Sequence, residues 1–248
     1  MPDAIGYRAN IATLIPSTNT VVEAEYNLMA PRGVTIHAGR MYVPRPELHS
    51  DDATTNLLDD VRAGVPEAVK QVVTLKPDHL IMGMSAPTFY GGLEGCTAYE
   101  REIEEMSGGV PVTSGPRSLL RALEVLGATS IAVLSPYQPV NDKEVVSFFE
   151  GQGHTFTGYQ GLQTASATGI AEIPESEVRL ILEQLAATGP DAIVQVGTNL
   201  AMVELADEAE RWLGLPVIAI NAASMWAALR DLGVDDAIHG FGQLLREQ

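Results

Sequence analysis

The sequence predicts an α/β fold built from two similar halves, each with a mainly parallel sheet flanked by helices. Three observations lead to this prediction. Short apolar runs alternate with amphipathic stretches, one strand-to-loop construction occurs twice, and a longer strand-and-helix segment is also repeated. Hydrophobic residues make up 46% of the 248 residues, which is enough to bury a sizeable core.

The elements follow from hydrophobic periodicity. Near-continuous apolar runs are typical of parallel strands that are buried on both faces. These runs occur at 10–15, 34–43, 78–84, 130–135, 154–160, 191–196 and 215–220. The stretches between them have the spacing of amphipathic helices. These stretches occur at 20–29, 51–75, 93–106, 140–153, 175–189, 201–214 and 222–233.

Two pairs of segments indicate an internal duplication. KPDHLIMGMSAPTF (76–89) and GPDAIVQVGTNLAM (189–202) both contain Pro-Asp, an apolar run and then small or hydroxylated residues. Segments 109–133 and 214–238 both begin with Gly-x-Pro-Val and later contain Ala-Leu-x-x-Leu-Gly. The alternative is the strand–loop–helix order that any α/β chain repeats. If the duplication is real, equivalent strand ends face each other across a cleft, where ligands of α/β sheets bind.

Charge and composition exclude several function classes. The net charge of −17 argues against nucleic acid and anionic membrane surfaces as partners. Cys96 is the only cysteine, and the five histidines show no ligand spacing, so neither a disulfide nor a metal site is expected. No apolar run approaches the roughly 20 residues that span a bilayer, and the N-terminus does not resemble a signal peptide. A cytoplasmic location is therefore expected.

The predicted strand ends of the first half carry hydroxyl and amide groups. In IPSTNT (15–20), Ser17 and Asn19 are either helix caps or ligand donors, and the sequence leaves both open. In MSAPTFYGG (84–92), Ser85 and Ala86 are candidates for ligand binding, with an ordinary loop as the alternative.

The strand ends of the second half add a phenol and further neutral donors. In LSPYQPVN (134–141), Tyr137 either packs or hydrogen-bonds an oxyanion and acts as an acid. In VGTNLA (196–201), Thr198 and Asn199 precede a helix whose N-terminal amides favour a carboxylate. None of the four segments contains lysine or arginine. Together they predict a site in which neutral donors hold a small acid.

These segments resemble the aspartate/glutamate racemase superfamily, and more closely its branch of maleate cis–trans isomerases and arylmalonate decarboxylases. PSTNT is similar to the Pro-Ser-x-Asn-Thr signature of that branch, and SAPTFYGG to its first catalytic loop. SPYQPVND is similar to the segment with the active-site tyrosine, and GTNLAMVELADEAERWLGLPV to the second catalytic loop, its helix and the next strand.

The resemblance implies a two-lobed architecture. The lobes are pseudo-symmetric, each has a mainly parallel four-stranded sheet, and the C-terminal helix returns to the first lobe. This implies a first lobe of 1–113 plus 222–248 and a second lobe of 114–221. It also implies cofactor-free chemistry on a small organic acid, and a homo-oligomer, either a dimer or a dimer of dimers.

The chain departs from the family pattern at the catalytic cysteines. Racemases and maleate isomerases of this superfamily carry one cysteine at each of two facing strand ends, and arylmalonate decarboxylases keep only the second. Here the first position matches Met84 and the second matches Gly197, with Val196 as the near alternative. Cys96 falls inside the next predicted helix and is expected to be a packing thiol.

The sequence therefore predicts a cofactor-independent lyase or isomerase that acts on a small carboxylic or dicarboxylic acid through an enolate or carbanion. Tyr137 is the candidate acid, and the candidate substrate-binding residues are Ser17, Asn19, Ser85, Ala86, Thr198 and Asn199. A two-base racemase and a thiol-addition isomerase are disfavoured, because both need side chains that these strand ends lack. The alternative is a catalytically silent small-acid-binding protein of the same fold. Loop 161–174 is either a lid or a plain connection.

Overall fold

Two four-stranded sheets form the centre of the structure, a computed structural model that describes residues 3–248. The first sheet has the order β2-β1-β3-β4, and the second has the order β6-β5-β7-β8. All neighbouring strands are parallel. The strands are β1 (Ala9–Pro16), β2 (Val34–Met41), β3 (His79–Met82), β4 (Val112–Thr113), β5 (Ser130–Ser135), β6 (Thr155–Gly161), β7 (Ala192–Gln195) and β8 (Val217–Ala219). The same topology occurs twice, which confirms the predicted fold class and its duplication.

Helices follow the strands in the predicted order. They are α1 (Val22–Met29), α2 (Asp51–Val73), α3 (Gly92–Met106), α4 (Gly115–Leu126), α5 (Pro139–Glu150), α6 (Glu175–Ala186), α7 (Val203–Leu213), α8 (Ile220–Asp231) and α9 (Gln243–Glu247). The short α9 lies outside the predicted elements, and β4 and α4 were expected only as part of the repeated segment 109–133. Two 3-10 turns occupy Ala86–Thr88 and Gly169–Glu172. Within residues 3–248, none of the helices is both long and apolar enough to cross a membrane.

Helix α2 lies unusually close to β2 because Gly39 has no side chain. A Cβ atom on Gly39 would lie 2.4 Å from the carbonyl oxygen of Ala68. Ordinary contacts between non-bonded heavy atoms are about 3.5–4.0 Å, so any other residue would push the helix away from the sheet. This close packing brings the N-terminal half of α2 over the carboxyl end of the first sheet.

The buried hydrophobic residues form two clusters, and the larger one spans both halves. It contains Ile81 of β3 together with Val194 of β7, whereas the smaller one lies within the first half. Helix α8 packs against α1, β3 and β4 as well as against α4. Helix α8 from the C-terminal part of the chain thus packs on the first sheet, as the family architecture implies. The lobe boundaries at 113/114 and 221/222 remain a prediction. The carboxyl ends of both sheets border a common cleft.

Candidate functional site

The ends of β1, β3, β5 and β7 meet around one cavity of about 70 Å³. On this measure a water molecule needs about 10–15 Å³, so the cavity has the size of a small organic acid. Eight of the nine sequence-predicted positions line it: Asn19, Met84, Ser85, Ala86, Tyr137, Gly197, Thr198 and Asn199. The structure therefore brings the four predicted segments together.

A chain of hydrogen bonds links the two lobes at this cavity. The Thr198 amide donates to Ser85 Oγ over 3.1 Å, and Ser85 Oγ is hydrogen-bonded to the phenol of Tyr137. The phenol donates to the Val196 carbonyl over 2.8 Å. A phenol has one proton, so Ser85 must donate to Tyr137. An amide, a hydroxyl and a phenol thus lie together at the cavity, each donating its proton to the next group in the series. A bound oxyanion would take the place of one of these acceptors.

Tyr137 is held rigidly at the end of β5. Its backbone N–H donates to Ser135 Oγ over 3.0 Å, and Ser135 donates in turn to Asp142 over 2.6 Å. Burial raises the pKa of the Tyr137 phenol above its ordinary range. The phenol is therefore neutral at physiological pH, and in this structure its proton is donated to the Val196 carbonyl.

Asn19 and Ser17 have different surroundings although they are two residues apart. Asn19 Oδ1 accepts hydrogen bonds from the amides of Val21 and Val22 at 2.9 and 3.0 Å, so it caps the start of α1. Asn19 also lines the cavity. Ser17 does not line it: the residue is exposed, and its hydroxyl accepts from the Val43 amide at 3.0 Å. The structure does not place Ser17 at the cavity.

Two chain segments, one from each half, cover the cavity; we call them the roof, 46–48 and 165–170. The Leu48 amide donates to the Ala165 carbonyl over 2.8 Å, and the Ala167 amide donates to the Pro46 carbonyl over 2.7 Å. Leu48, Ala167 and Ile170 line the cavity. The loop that the sequence left open as lid or connection therefore contributes to the wall of the site.

Asn199 ties the roof to the rest of the site. Its Nδ2 donates to the Ala167 carbonyl over 2.8 Å, and its Oδ1 accepts from the Thr20 amide over 3.1 Å. Both ends of this amide side chain are thus engaged by the protein. The position of Asn199 fits the organisation of the cavity better than direct contact with a ligand.

The apolar lining of the cavity was missed by sequence reasoning. Leu57 and Val61 of α2 join Leu48, Met84 and Ile170 there. The amphipathic pattern of α2 predicts a buried face but does not say that part of this face borders a ligand cavity. The cavity is thus lined by apolar side chains as well as by polar ones.

Charged side chains are absent from the lining of the cavity, as far as residues 3–248 show. Tyr137 is the one titratable group among those lining residues. Cys96 lies in α3, buried, with Sγ 3.2 Å from Ser114 Oγ, and burial raises the pKa of its thiol to about 11. Over the same residues, no three histidine, cysteine or acidic side chains are grouped to hold a metal ion.

A buried carboxylate behind the cavity was also missed. Glu25 accepts from the amides of Met202 and Val203 at 2.7 and 3.1 Å, and from Asn221 Nδ2 at 2.6 Å. The same Asn221 nitrogen donates to the Thr198 carbonyl over 2.9 Å. Burial raises the pKa of Glu25 to about 7. The sequence contains little sign of this burial, because nothing distinguishes Glu25 from the other residues among the 32 that are acidic.

Known proteins resemble the chain over most of its length. The maleate isomerase of Nocardia farcinica is 26% identical over 245 residues, which cover 96% of this chain and 95% of that protein. The arylmalonate decarboxylase of Bordetella bronchiseptica is 27% identical over 170 residues, or 67% of this chain and 70% of that protein. The solved structure of the Nocardia farcinica maleate cis–trans isomerase superposes with a TM-score of 0.86 at 26% identity, covering 96% and 98% of the two chains.

The sequence pattern of a whole family also matches. The model of the family described as arylmalonate decarboxylase covers residues 52–245, which is more than half of the chain. The relatives with known activity are isomerases and decarboxylases. This protein therefore belongs to the arylmalonate decarboxylase family and is an enzyme of the isomerase or decarboxylase type.

Proposed function

We propose that the chain is a cofactor-independent lyase that removes CO₂ from a small malonate-type acid with an apolar substituent, through an enolate held by neutral donors. The observation that carries the proposal is the convergence of the Thr198 amide, Ser85 and Tyr137 on a cavity that apolar side chains also line. The donors fit the carboxylate that remains, and the apolar lining fits the substituent.

The proposed reaction needs no base. The bond between the α-carbon and the departing carboxylate breaks, and its electron pair moves into the remaining carboxylate to form an enediolate. The converging donors stabilise the charge on those oxygens. Tyr137 then gives its proton to the α-carbon and regains one from water, so that CO₂ and a monocarboxylic acid are the products.

A thiol mechanism fits this cavity less well. A structure of the Nocardia farcinica maleate isomerase, a cysteine-to-serine mutant, contains a covalently bound succinylcysteine intermediate. Such an intermediate requires a cysteine at the substrate, and Cys96 does not line this cavity. We therefore favour decarboxylation over cis–trans isomerisation of maleate.

Proton NMR in D₂O tests the proposal with methyl-, alkyl- and phenyl-substituted malonates beside maleate, fumarate, malate and aspartate. We expect a substituted malonate to lose CO₂ and its product to carry one deuterium at the α-carbon. The Ser85→Ala variant, prepared in the same way, controls for contaminating activity. Conversion of maleate to fumarate would contradict the proposal.

The same spectra distinguish the proposed lyase from the competing hypothesis. Line broadening of an acid without any conversion would favour a catalytically silent binding protein. An absence of both broadening and conversion would mean that the proposed ligand class is wrong.

A further inference from the structure

The backbone of Gly197 lies directly against the ring of Pro136. A Cβ atom on Gly197 would lie 2.2 Å from Pro136 Cγ, 2.5 Å from Pro136 Cδ and 3.3 Å from Gln195 Nε2. Carbon atoms in contact are normally about 3.5–4.0 Å apart. Both residues line the cavity. The proline ring thus occupies the volume into which any side chain at position 197 would extend.

Pro136 has little freedom to move away. Its carbonyl accepts from the Thr164 amide over 3.2 Å, and the next residue, Tyr137, is fixed through Ser135. The pyrrolidine ring is part of the backbone and can change only its pucker. The conflict with a side chain at 197 is therefore a conflict with the backbone at the end of β5.

We infer that Pro136 determines the reaction specificity of this site, because it excludes a nucleophilic or acid–base side chain from position 197. With that position closed, Tyr137 is the titratable group that remains on the cavity among residues 3–248. Stereoinversion requires an acid–base group on each face of the substrate. The catalytic consequence, which rests on the proposed function, is protonation from the Tyr137 side and a product of one configuration.

The structural half of the inference is tested without a substrate. We expect Gly197→Cys to lower the Tm by about 5 °C or more, because overpacking is costly in a chain of this size. In the Pro136→Ala background, the same Gly197→Cys substitution should lower the Tm only slightly. The Tm of the double variant should therefore lie close to that of Pro136→Ala alone. Iodoacetamide labelling, counted by mass spectrometry, should add one label to the folded double variant over wild type.

Two further variants keep the result interpretable. Gly197→Ala adds only the Cβ atom, so it tests the clash if Gly197→Cys does not fold, and Pro136→Ala should rescue it as well. Met84→Cys places a thiol on the same cavity at a position that already has a side chain, so it calibrates the labelling. A wild-type Tm for Gly197→Cys or Gly197→Ala, or no rescue by Pro136→Ala, would overturn the inference.

The catalytic half uses a disubstituted malonate, because its product acid has a stereocentre that carries one α-proton. In D₂O the Pro136→Ala/Gly197→Cys variant should exchange this proton and racemise the product, whereas wild type and Pro136→Ala should do neither. An active double variant that keeps one product configuration would overturn this half. If wild type converts no malonate, the proposed function fails, while the Tm and labelling results still decide the role of Pro136.

Discussion

At the scale of single residues, Tyr137 carries the most specific prediction. Tyr137→Phe removes the phenol that bridges Ser85 and the Val196 carbonyl but keeps the aromatic ring. If the phenol donates the proton, kcat should fall by about 100-fold or more while KM changes by less than about threefold. Steady-state kinetics on the malonate identified by NMR would measure both.

Tyr90→Phe is the matched control for this change. Tyr90 also donates its hydroxyl to a side chain, Asn141 Oδ1, over 2.6 Å; Asn141 lines the cavity, but Tyr90 itself does not. We expect near-wild-type kcat and KM for this variant. A loss of kcat and a rise of KM by equal factors in Tyr137→Phe would mean that the phenol only binds the ligand.

The sequence predicted the polar lining of the cavity because strand ends mark where ligands bind in parallel sheets. Ser85, Tyr137 and Thr198 follow strands, and they meet as expected. Ser17 follows a strand equally well, yet its hydroxyl faces the Val43 amide. Whether a side chain turns toward or away from a cavity depends on the backbone angles of that residue. Its position after a strand in the sequence does not reveal these angles.

At the scale of elements, the roof is the feature that the sequence left open. Its two segments meet through two backbone hydrogen bonds and are far apart in the chain. Neither segment has helix or strand periodicity there, so the local pattern contains no signal for their pairing. Most strands and helices, in contrast, were predictable in order and approximate position. The strands are near-continuous apolar runs, and the burial of the amphipathic helices repeats with a fixed period.

Asn199 offers a test of how the roof is held. Asn199→Asp keeps an acceptor for the Thr20 amide but replaces the donor to the Ala167 carbonyl with an oxygen. Two acceptors would then face each other, which removes a hydrogen bond and adds repulsion. In the ligand-free protein we expect hydrogen exchange at the Leu48 and Ala167 amides to become about tenfold faster.

The control for this prediction is Asn27→Asp. Asn27 also donates Nδ2 to a backbone carbonyl, that of Glu23 over 2.7 Å, but on the exposed side of α1. The same exchange measurement should show no change at the roof in this variant. Unchanged exchange in Asn199→Asp would indicate that the two backbone hydrogen bonds hold the roof without Asn199.

At the scale of the whole molecule, buried carboxylates connect the lobes and set the response to pH. Glu25 on α1 of the first half accepts from the first amides of α7 in the second half. Glu210 on α7 accepts from the Gln243 amide over 2.7 Å. Burial raises the pKa of each carboxyl to about 7, above the ordinary value of 4.5.

The raised pKa in the folded state determines the direction in which stability changes with pH. Between about pH 4.5 and 7 the folded protein holds a proton on Glu25 that the unfolded chain has lost, so folding is favoured at the acidic end. This stabilisation is complete below about pH 4.5 and is lost as pH rises through about 7. The contribution of Glu25 to the free energy of unfolding that is lost in this way is on the order of 3 kcal/mol.

We therefore expect the free energy of unfolding to fall between pH 5 and pH 8, and Glu25→Gln to reduce that fall. The new amide keeps a carbonyl oxygen for the amides of α7. Its nitrogen faces Asn221 Nδ2, so the hydrogen bond from Asn221 is lost, but no group that titrates remains at this position. Urea unfolding at several pH values measures the effect.

Two variants separate burial from net charge as the cause. Glu210→Gln removes a second, partly buried carboxyl that does not line the cavity, and its effect on the pH slope should add to that of Glu25→Gln. Glu183→Gln removes the same charge from an exposed position and should leave the slope unchanged. If all three variants change the slope equally, the repulsion within a chain of net charge −17 would explain the pH dependence better than the two buried groups do.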